Sequence, residues 1–170
     1  MTKSIELKRF LDAQDGGESF DGNRTAYQVA LKEIVDGEKI SHWIWFIFPQ
    51  GPFGTSTMAQ MYAITSPSEA TAYLQHSILR DRLLEITNAV ANQLNKNVQP
   101  QILMGSDIDC QKLSSSMTLF NFIADKLDDQ DLKDATKNVL SQLASHAWTE
   151  CTKTLDWLRN FSEDSEIVEN

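Results

Sequence analysis

Apolar residues recur at helical spacing through most of this chain, and that spacing constrains its fold more than any other feature. Four of them precede Gly37 at positions i, i+3, i+4 and i+7, namely Tyr27, Ala30, Leu31 and Ile34. This spacing is typical of an amphipathic helix, and a glycine is common just beyond a helix end. The sequence therefore predicts a helix over this stretch with Gly37 at its C-terminal cap.

Similar stripes predict that most of the remaining chain is helical. A helix that begins at Ser66 is indicated separately, because Ser66, Pro67 and Glu69 match an N-cap, a first-turn proline and the acid of a capping box. A short helix is also expected over residues 58–64. The apolar stripes of the other predicted helices are Ile5, Phe10, Leu11 and Ala13; Leu79, Leu83, Ile86, Val90 and Leu94; Met117, Phe120, Ile123, Ala124 and Leu127; Leu132, Ala135, Val139 and Leu143; and Leu155 with Leu158.

These elements predict a mainly α fold, a compact single-domain helical bundle with a buried aromatic segment and irregular connecting loops. At 170 residues the chain has the usual length of one domain. We assign residues 1–161 to the helical domain. Residues 162–170 are acidic and are expected to form a flexible C-terminal tail.

The charge and composition argue against several functional classes. There are 24 acidic and 15 basic residues, and the net charge of -9 repels nucleic acids and anionic membranes. The first residues form no apolar signal region, and no apolar run reaches the roughly 18 residues of a membrane helix. The two cysteines lack metal-binding spacing, and the three histidines are isolated. We expect a cytoplasmic protein with no metal, no cofactor, no nucleic-acid partner and no membrane partner.

The segment SHWIWFIFPQGPFGTS, residues 41–56, holds two of the four tryptophans. Nearly every residue of its first half is large and apolar, so periodicity does not distinguish a buried strand from a buried helical segment. As a packing element, it would place Trp43, Ile44, Phe46 and Ile47 in the core. As a ligand site, it offers aromatic rings, flanking polar residues and a glycine-containing loop. The sequence leaves both interpretations open.

In the ligand interpretation, the aromatic rings and the loop have separate roles. Trp43 or Trp45 would stack on a planar ring, since aromatic faces pair well with other rings. Gly54 and Ser56 would hold an anion through backbone and hydroxyl donors, because glycine lets a ligand approach the backbone closely. The alternative for this loop is a tight turn in which Ser56 caps a helix.

Residues 107–118 form a second polar segment, which we expect to lie just before an apolar helix. Lys112 would add positive charge to a ligand site shared with the aromatic segment. Glu33 or Asp107 would be the catalytic acid or base of such a site, because carboxylates perform this role when they lie within reach of the reacting group. The alternative is that this segment contains only a serine cap and surface charges.

The chain resembles the domain-of-unknown-function family numbered 1810 over residues 7–158. The motifs that support the resemblance are RFLDAQ, YQVALKEIVDGEKISHWIWFIFPQ, AQMYAI, EATAYLQH and KLSSSMTLF. The chain departs from the family at Ser77 and Arg80, where proline and glycine are usual, and in a slightly shorter loop after Gln50. The resemblance implies a mostly helical domain without an established activity. It also implies a site at the positions that match the family's polar motif residues, which are Lys39, Ser41, His42, Gln50, Gly54, Ser56, Tyr62, Arg82, Asp107, Lys112, Ser115 and Thr118.

From these features we expect a cleft between residues 41–56 and residues 107–118 that binds a small anionic or nucleotide-like ligand. A looser similarity to helical families that process ADP-ribose suggests, by analogy only, hydrolysis of an N-glycosidic bond. The alternative is a non-enzymatic protein-interaction module whose acidic surface meets a basic partner. That alternative predicts an exposed apolar patch, whereas the ligand hypothesis predicts a concave polar cleft. The oligomeric state is left open.

Overall fold

A computed structural model describes residues 6–16 and 22–167 of the chain, with side chains to Phe161. Within these ranges the regular structure consists of ten helices and no strand. The prediction of a mainly α, single-domain fold is confirmed. In chain order the helices are α1 (Lys8–Asp15), α2 (Ala26–Asp36), α3 (Ile44–Ile47), α4 (Thr57–Met61), α5 (Pro67–Gln75), α6 (Ser77–Asn95), α7 (Pro100–Met104), α8 (Asp107–Lys126), α9 (Gln130–Ala144) and α10 (Thr152–Ile167).

Helix α2 has the ends that its sequence indicates. The Thr25 hydroxyl accepts a hydrogen bond from the Gln28 amide, and the Gln28 side chain accepts one from the Thr25 amide, which completes a capping box. At the other end Gly37 has a φ of 90°, a left-handed conformation that glycine adopts without a steric penalty from a Cβ atom. The predicted helix and its C-terminal cap are both confirmed.

Helix α5 begins as predicted, but its acidic residue has other partners. Ser66 Oγ accepts a hydrogen bond from the Glu69 amide, and Pro67 occupies the first turn. The Glu69 carboxylate accepts hydrogen bonds from the amide and the hydroxyl of Thr65 and also pairs with Arg9. The predicted capping box is therefore only half formed, because these three donors occupy the carboxylate in place of the Ser66 amide.

Helix α8 forms the centre of the bundle. It packs against α5, α7, α9 and α10, and α9 packs in turn against α6. Residues 113–120 of α8 are all buried. The rings of Tyr73 and Phe120 pack between α5 and α8 with 5.2 Å between their centroids. A helix that is covered on several sides has no polar face over its buried length, so amphipathic periodicity marks its ends poorly.

The aromatic segment contains the short helix α3 and lies inside the core. Trp43, Ile44, Phe46, Ile47 and Phe48 are each at most 8% exposed. The rings of Trp43 and Phe48 are 6.2 Å apart between centroids, in a tilted arrangement. The core interpretation of this part of the segment is confirmed.

Two helices differ from the sequence-based expectation. Helix α8 begins at Asp107, so the polar stretch before Met117 is helical and is not a loop that precedes a helix. The sequence also predicts no counterpart of α7, a short helix that starts at Pro100 in its first turn. Helix α7 precedes the second polar segment and α8 contains it, so these two helices determine the directions of its side chains.

The two ends of the chain are described only in part. Helix α10 continues to Ile167, past the predicted end near residue 159. Ile5 and residues 168–170 lie outside the described residues, so the flexibility of the C-terminal tail stays a prediction. No helix in the described part is long and apolar enough to cross a membrane.

Candidate functional site

Glu33, near the end of α2, is held by donors from the segment that leads into α3. Its carboxylate accepts hydrogen bonds from the Ile40 amide at 2.9 Å, from the Ser41 amide at 3.0 Å and from Trp43 Nε1 at 2.8 Å. The Ser41 hydroxyl donates a fourth. Both carboxylate oxygens are therefore engaged. We call Glu33, Ile40, Ser41 and Trp43 the Glu33 clamp.

The surroundings of Glu33 keep it ionised. Burial by itself raises the pKa of the carboxyl, but the hydrogen bonds from Ser41, Ile40 and Trp43 outweigh that effect and lower the pKa below its ordinary value of 4.5. A carboxylate with a lowered pKa and occupied oxygens is a weak proton acceptor. The clamp thus favours a fixed structural anion at Glu33 over the predicted catalytic acid or base.

Lys39, just before the aromatic segment, pairs with Asp109 of the second polar segment. Lys39 Nζ lies 2.9 Å from Asp109 Oδ2 and donates to the Ser41 carbonyl at 2.7 Å. The Lys39 side chain is only 6% exposed. Lys112 Nζ approaches the other oxygen of Asp109 at 3.6 Å, beyond ordinary hydrogen-bond length. One carboxylate is therefore shared between two ammonium groups.

Each of the two lysines also lies over a tryptophan ring. Lys39 Nζ is 5.0 Å from the ring centroid of Trp43, and Lys112 Nζ is 4.9 Å from that of Trp45. Such cation–π contacts fix the ammonium groups relative to α3. The Trp45 indole N–H is buried, and it has no hydrogen-bond partner in the part of the chain that the structure describes.

An open cleft of about 290 Å³ lies beside the Lys39–Asp109 pair. We call it the Lys39–Asp109 cleft. His42 is exposed at its edge, and the side chains of Ile40 and Ile108 project there with 74% and 64% of their surface exposed. The cleft therefore combines a charged pair with an apolar rim. Its lining residues are Lys39, Ile40, His42, Ile44, Trp45, Met104, Gly105, Ser106, Ile108 and Asp109.

On the other side of Trp45 the structure is almost closed. A cavity of only about 10 Å³ lies there, lined by Ile44, Trp45, Phe48, Gln50, Ala59, Tyr62 and Lys112. A space of this size holds at most one water molecule. Of the predicted ligand residues, Gln50, Tyr62 and Lys112 line only this nearly closed space, whereas Trp45 lines both cavities.

Gly54 and Ser56 hold α4 in place. A Cβ atom at Gly54 would lie 2.3 Å from the Cβ of Ala59, so only glycine allows the loop to pass this close to α4. Ser56 Oγ accepts a hydrogen bond from the Ala59 amide as the N-cap. These contacts match the capping alternative for the loop. Neither residue lines the Lys39–Asp109 cleft.

Ser115 and Thr118 face α10 and not the cleft. Ser115 Oγ lies 3.0 Å from Thr154 Oγ1. The Thr118 hydroxyl donates to the Ser114 carbonyl at 2.8 Å and accepts a hydrogen bond from the Cys151 amide at 3.0 Å. These hydroxyl groups attach α10 to the central helix, and their role in the structure is packing.

Arg82 lies away from both the Lys39–Asp109 cleft and the contact between α8 and α10. Its guanidinium donates to Gln14 Oε1 at 3.1 Å and pairs with Asp15 at 2.6 Å, and it lies 5.3 Å from the ring centroid of Tyr27. Arg82 thus ties α6 to α1 and α2. It does not line the Lys39–Asp109 cleft.

Asp109 is one of the polar residues that the sequence indicates in the second segment, but the sequence does not select it as a site residue. It stands three residues after the N-cap Ser106, whose hydroxyl accepts a hydrogen bond from the Asp109 amide, and three residues before Lys112. The helical spacing of Asp109 and Lys112 was the available signal, but it appears only once α8 is known to start at Asp107. Asp107 itself is exposed beside the lining residues of the cleft.

A larger cleft lies elsewhere and contains none of the predicted site residues. It measures about 510 Å³ and runs between α8, α9 and the start of α10. Lys133 and Lys137 line it, and Lys133 pairs with Asp125 at 2.6 Å. Among the described residues, no group of three or more His, Cys, Asp or Glu side chains is arranged to hold a metal ion.

Comparison with known proteins gives a family but no activity. A family model described as "Protein of unknown function (DUF1810)" matches residues 4–155. Among solved structures, the chain is similar to the conserved hypothetical protein Rv1873 from Mycobacterium tuberculosis, with 34% sequence identity and a TM-score of 0.69. That similarity covers 92% of this chain and 99% of the other. No curated protein matches the chain.

Proposed function

Since the chain belongs to the DUF1810 family, whose description assigns no activity, we propose a function from the site itself: the Lys39–Asp109 cleft binds a small anionic ligand. The observation that carries the proposal is the sharing of Asp109 between Lys39 and Lys112. Two cations around one carboxylate leave a positive charge at Asp109, which the exposed Asp107 in the same turn of α8 offsets in part. Paired lysines of this kind stand out in a chain whose net charge is -9.

Lys112 is the more accessible of the two ammonium groups; it does not line the cleft itself, but it lies beside Asp109, which does. Its side chain is 21% exposed, and its 3.6 Å distance from Asp109 leaves it without a tight ion pair there. Lys39, by contrast, is committed to Asp109 and to the Ser41 carbonyl. Gly105 and Ser106 also line the cleft, so the positive end of the α8 helix dipole faces it. An anion in the cleft would gain from both sources of positive charge.

Hydrolysis of an N-glycosidic bond in an ADP-ribose-type ligand is the enzymatic form of this proposal. It requires a carboxylate that can exchange a proton or activate water. Glu33 is occupied by its clamp, and Asp109 is paired with two lysines. Asp107 is exposed near the cleft and is the carboxylate left for this role. The geometry favours binding over hydrolysis.

A protein-interaction module is the second candidate. The observation in its favour is the exposed apolar surface at the cleft rim, where Ile40 is 74% and Ile108 is 64% exposed. Ile102 on α7 is 57% exposed. Apolar side chains grouped at one place are more informative than the same residues scattered singly. A basic protein partner would be attracted by the acidic charge of the chain as a whole.

The first experiment is a thermal-shift titration with inorganic phosphate, acetate, AMP and ADP-ribose. A ligand that binds only the folded state raises the melting temperature in proportion to the logarithm of its concentration above Kd. Lys112→Ala should weaken the binding of an anion at least about tenfold, because a hydrogen bond to a charged group is lost. Lys137→Ala removes an exposed lysine outside the cleft and is the matched control.

Three results would count against the proposal. One is the absence of any shift at millimolar ligand. Another is an equal shift in Lys112→Ala and wild type. The third is a shift that only Lys137→Ala removes, which would move the anion to the larger cleft between α8 and α9. For the enzymatic form, release of free ADP-ribose or ribose products should disappear in Asp107→Asn while anion binding persists.

A further inference from the structure

The rim of the Lys39–Asp109 cleft is aliphatic and projects into solvent. Ile40 and Ile108 are the two most exposed large apolar side chains in the described part of the chain. They come from different elements, the segment after α2 and the first turn of α8, yet both line this cleft. Ile44 and Met104 add further aliphatic surface to its wall. We call Ile40 and Ile108 the isoleucine rim.

The backbone beneath the rim is held in a defined position. The Lys39 amide donates to the Leu103 carbonyl at 2.8 Å, which fastens the segment before Ile40 to α7. A third exposed isoleucine, Ile102, stands on α7 one residue before Leu103. Gly105 has a φ of 83°, and a Cβ atom there would lie 3.1 Å from the Lys39 carbonyl oxygen, so this close approach depends on glycine. Exposed isoleucines on a fastened backbone form a preorganised contact surface.

The accessible charges beside the rim are acidic. Glu38 and Asp107 are exposed, each next in sequence to a residue that lines or adjoins the cleft, and neither has an ion-pair partner in the part of the chain that the structure describes. Lys39 is only 6% exposed and is ion-paired, and Lys112 lines the nearly closed space on the other side of Trp45. A partner at the rim therefore meets aliphatic side chains with acids beside them.

This combination separates the possible occupants of the surface. A second copy of the chain would bring its own acids and a net charge of -9 to the same place, and a nucleic acid would be repelled in the same way. A planar ring requires an open aromatic face, whereas Trp43 is 2% exposed and the rim is aliphatic. An open cleft of about 290 Å³ is at the small end of pockets for whole ligands, but it accommodates side chains of a partner.

From these contacts we propose that the isoleucine rim and its cleft dock a basic amphipathic helix of a protein partner. The inference rests on the interaction-module candidate above and names the chemistry of the partner. Apolar side chains on one face of that helix would contact Ile40 and Ile108, as in other complexes of a helix with an apolar groove. Lysine or arginine side chains beside that face would approach Glu38 and Asp107. The contact is smaller than a standard protein interface, so we expect a transient complex.

The test is fluorescence anisotropy with labelled synthetic peptides. Three helical peptides share one leucine stripe at i, i+3, i+4 and i+7, and their polar faces carry lysine, glutamine or glutamate. A fourth peptide has the composition of the lysine peptide in a scrambled order that has no stripe. The lysine peptide should bind most tightly, and the glutamate and scrambled peptides should bind at least about tenfold more weakly at low salt. Added salt should narrow the difference between the lysine and glutamine peptides.

Isoleucine variants assign the apolar part of the contact to the rim. The double variant Ile40→Ser with Ile108→Ser should weaken the lysine peptide at least about tenfold, because less apolar surface leaves water on binding. Both side chains are exposed, so the variant should fold normally, as its thermal unfolding will show. Ile78→Ser alters another exposed isoleucine, at the start of α6, and is the matched control that should leave binding unchanged.

Charge variants assign the electrostatic part. The double variant Glu38→Gln with Asp107→Asn should weaken the lysine peptide by about two- to tenfold at low salt and leave the glutamine peptide unchanged. Asp131→Asn with Asp134→Asn removes two exposed acids of α9 and lowers the net charge by the same amount. Equal weakening by this control pair would show attraction by the whole chain and would overturn the assignment to the rim.

The outcomes separate this inference from the functions proposed above. If no peptide binds, or if binding survives in the double isoleucine variant, the inference is wrong, whereas a phosphate-induced thermal shift in that variant would leave the anion function standing. If the three striped peptides bind equally through the isoleucines, the interaction module stands and the basic partner is wrong. Self-association of the wild type that the double isoleucine variant abolishes would show a second copy on the rim, and it too would overturn the inference.

Discussion

Glu33 and Asp109 are two carboxylates that each bind several donors, yet they lie in different kinds of site. The donors of Glu33 are two backbone amides, a hydroxyl and an indole, all from residues 40–43. The charged neighbours of Asp109 are two lysine side chains, and one of these is partly exposed. Neutral donors that are fixed by the backbone make a permanent contact. The ion pair of Asp109 with Lys112, at 3.6 Å, is the looser contact.

The comparison shows why a buried acid near a cleft is not by itself a candidate catalyst. Burial disfavours the ionised form, but enough hydrogen bonds reverse the effect, as they do for Glu33. For each carboxylate, what matters is whether a ligand can replace its hydrogen-bond or ion-pair partners. At the Glu33 clamp none can be replaced without unfolding the segment, whereas Lys112 lies 3.6 Å from Asp109, beyond ordinary hydrogen-bond length.

The largest expected effect comes from breaking the clamp with Glu33→Ala. This change leaves the Trp43 indole and the Ser41 donors buried without an acceptor, and it should lower the free energy of unfolding by about 3–5 kcal/mol. Urea denaturation followed by tryptophan fluorescence measures the loss. Glu38→Ala, an exposed acid nearby, is the control and should stay within about 0.5 kcal/mol of wild type. A loss below 1 kcal/mol in Glu33→Ala would refute the clamp, since a satisfied buried acceptor is worth about that or more.

Lys39→Met should have the next largest effect. Methionine keeps most of the side-chain volume but leaves Asp109 with only the distant Lys112, so the free energy of unfolding should fall by about 2–3 kcal/mol. The same denaturation experiment checks it. The double variant Lys39→Met with Asp109→Leu should recover part of the loss, because no unpaired charge remains buried. Additive losses in the double variant would contradict a direct interaction between the two residues.

The pH dependence of Glu33→Gln isolates the charge of the clamp. Because the pKa of Glu33 is lowered in the folded protein, its ionised form contributes stability that is fully present above the unfolded pKa of about 4.5. That contribution is lost as the pH falls through the lower folded pKa. The difference in unfolding free energy between wild type and Glu33→Gln should therefore be constant near neutral pH and shrink below pH 4.5. If this difference grew on acidification, the pKa of Glu33 would be raised in the folded protein and not lowered.

Lys112→Ala should have the smallest effect on stability. Its ammonium is partly exposed and 3.6 Å from Asp109, so the loss should stay under about 1 kcal/mol. Urea denaturation of Lys112→Ala and Lys39→Met under the same conditions compares the two losses of stability directly. A cost for Lys112→Ala equal to that of Lys39→Met would mean that both lysines are structural, and the distinction between the clamp and the cleft would lose its basis.

Amphipathic helices were predictable from the sequence, whereas the central helix was predictable only in part. Helix α2 follows from the stripe that ends at Ile34 and from Gly37. The start of α8 does not, because Ser114, Ser115 and Ser116 read as a polar loop although they are buried in the helix. Two of these hydroxyls find partners on or just before α10, and such partners are tertiary contacts with no local signal.

The candidate site was predictable as a meeting of two segments but not as a set of contacts. Residues 41–56 and 107–118 are in contact, since Lys112 lies over Trp45, and Lys39 reaches Asp109 from just before the first of these segments. The sequence could not tell that Glu33 is saturated, because its donors are mostly backbone amides and an indole. It also could not show which side of Trp45 is open, since that depends on how α7 and α8 meet.

The Glu33 clamp has a consequence for the order of folding. Its hydrogen bonds join residues only 7, 8 and 10 positions apart in the chain, so the entropy cost of closing the loop is small. The Lys39–Asp109 contact instead joins distant parts of the sequence and must wait for α8 to dock. Residues of the clamp should therefore show high φ-values, and those of the cleft low ones. The nascent chain can fix the geometry of α2 and α3 before the second wall of the cleft exists.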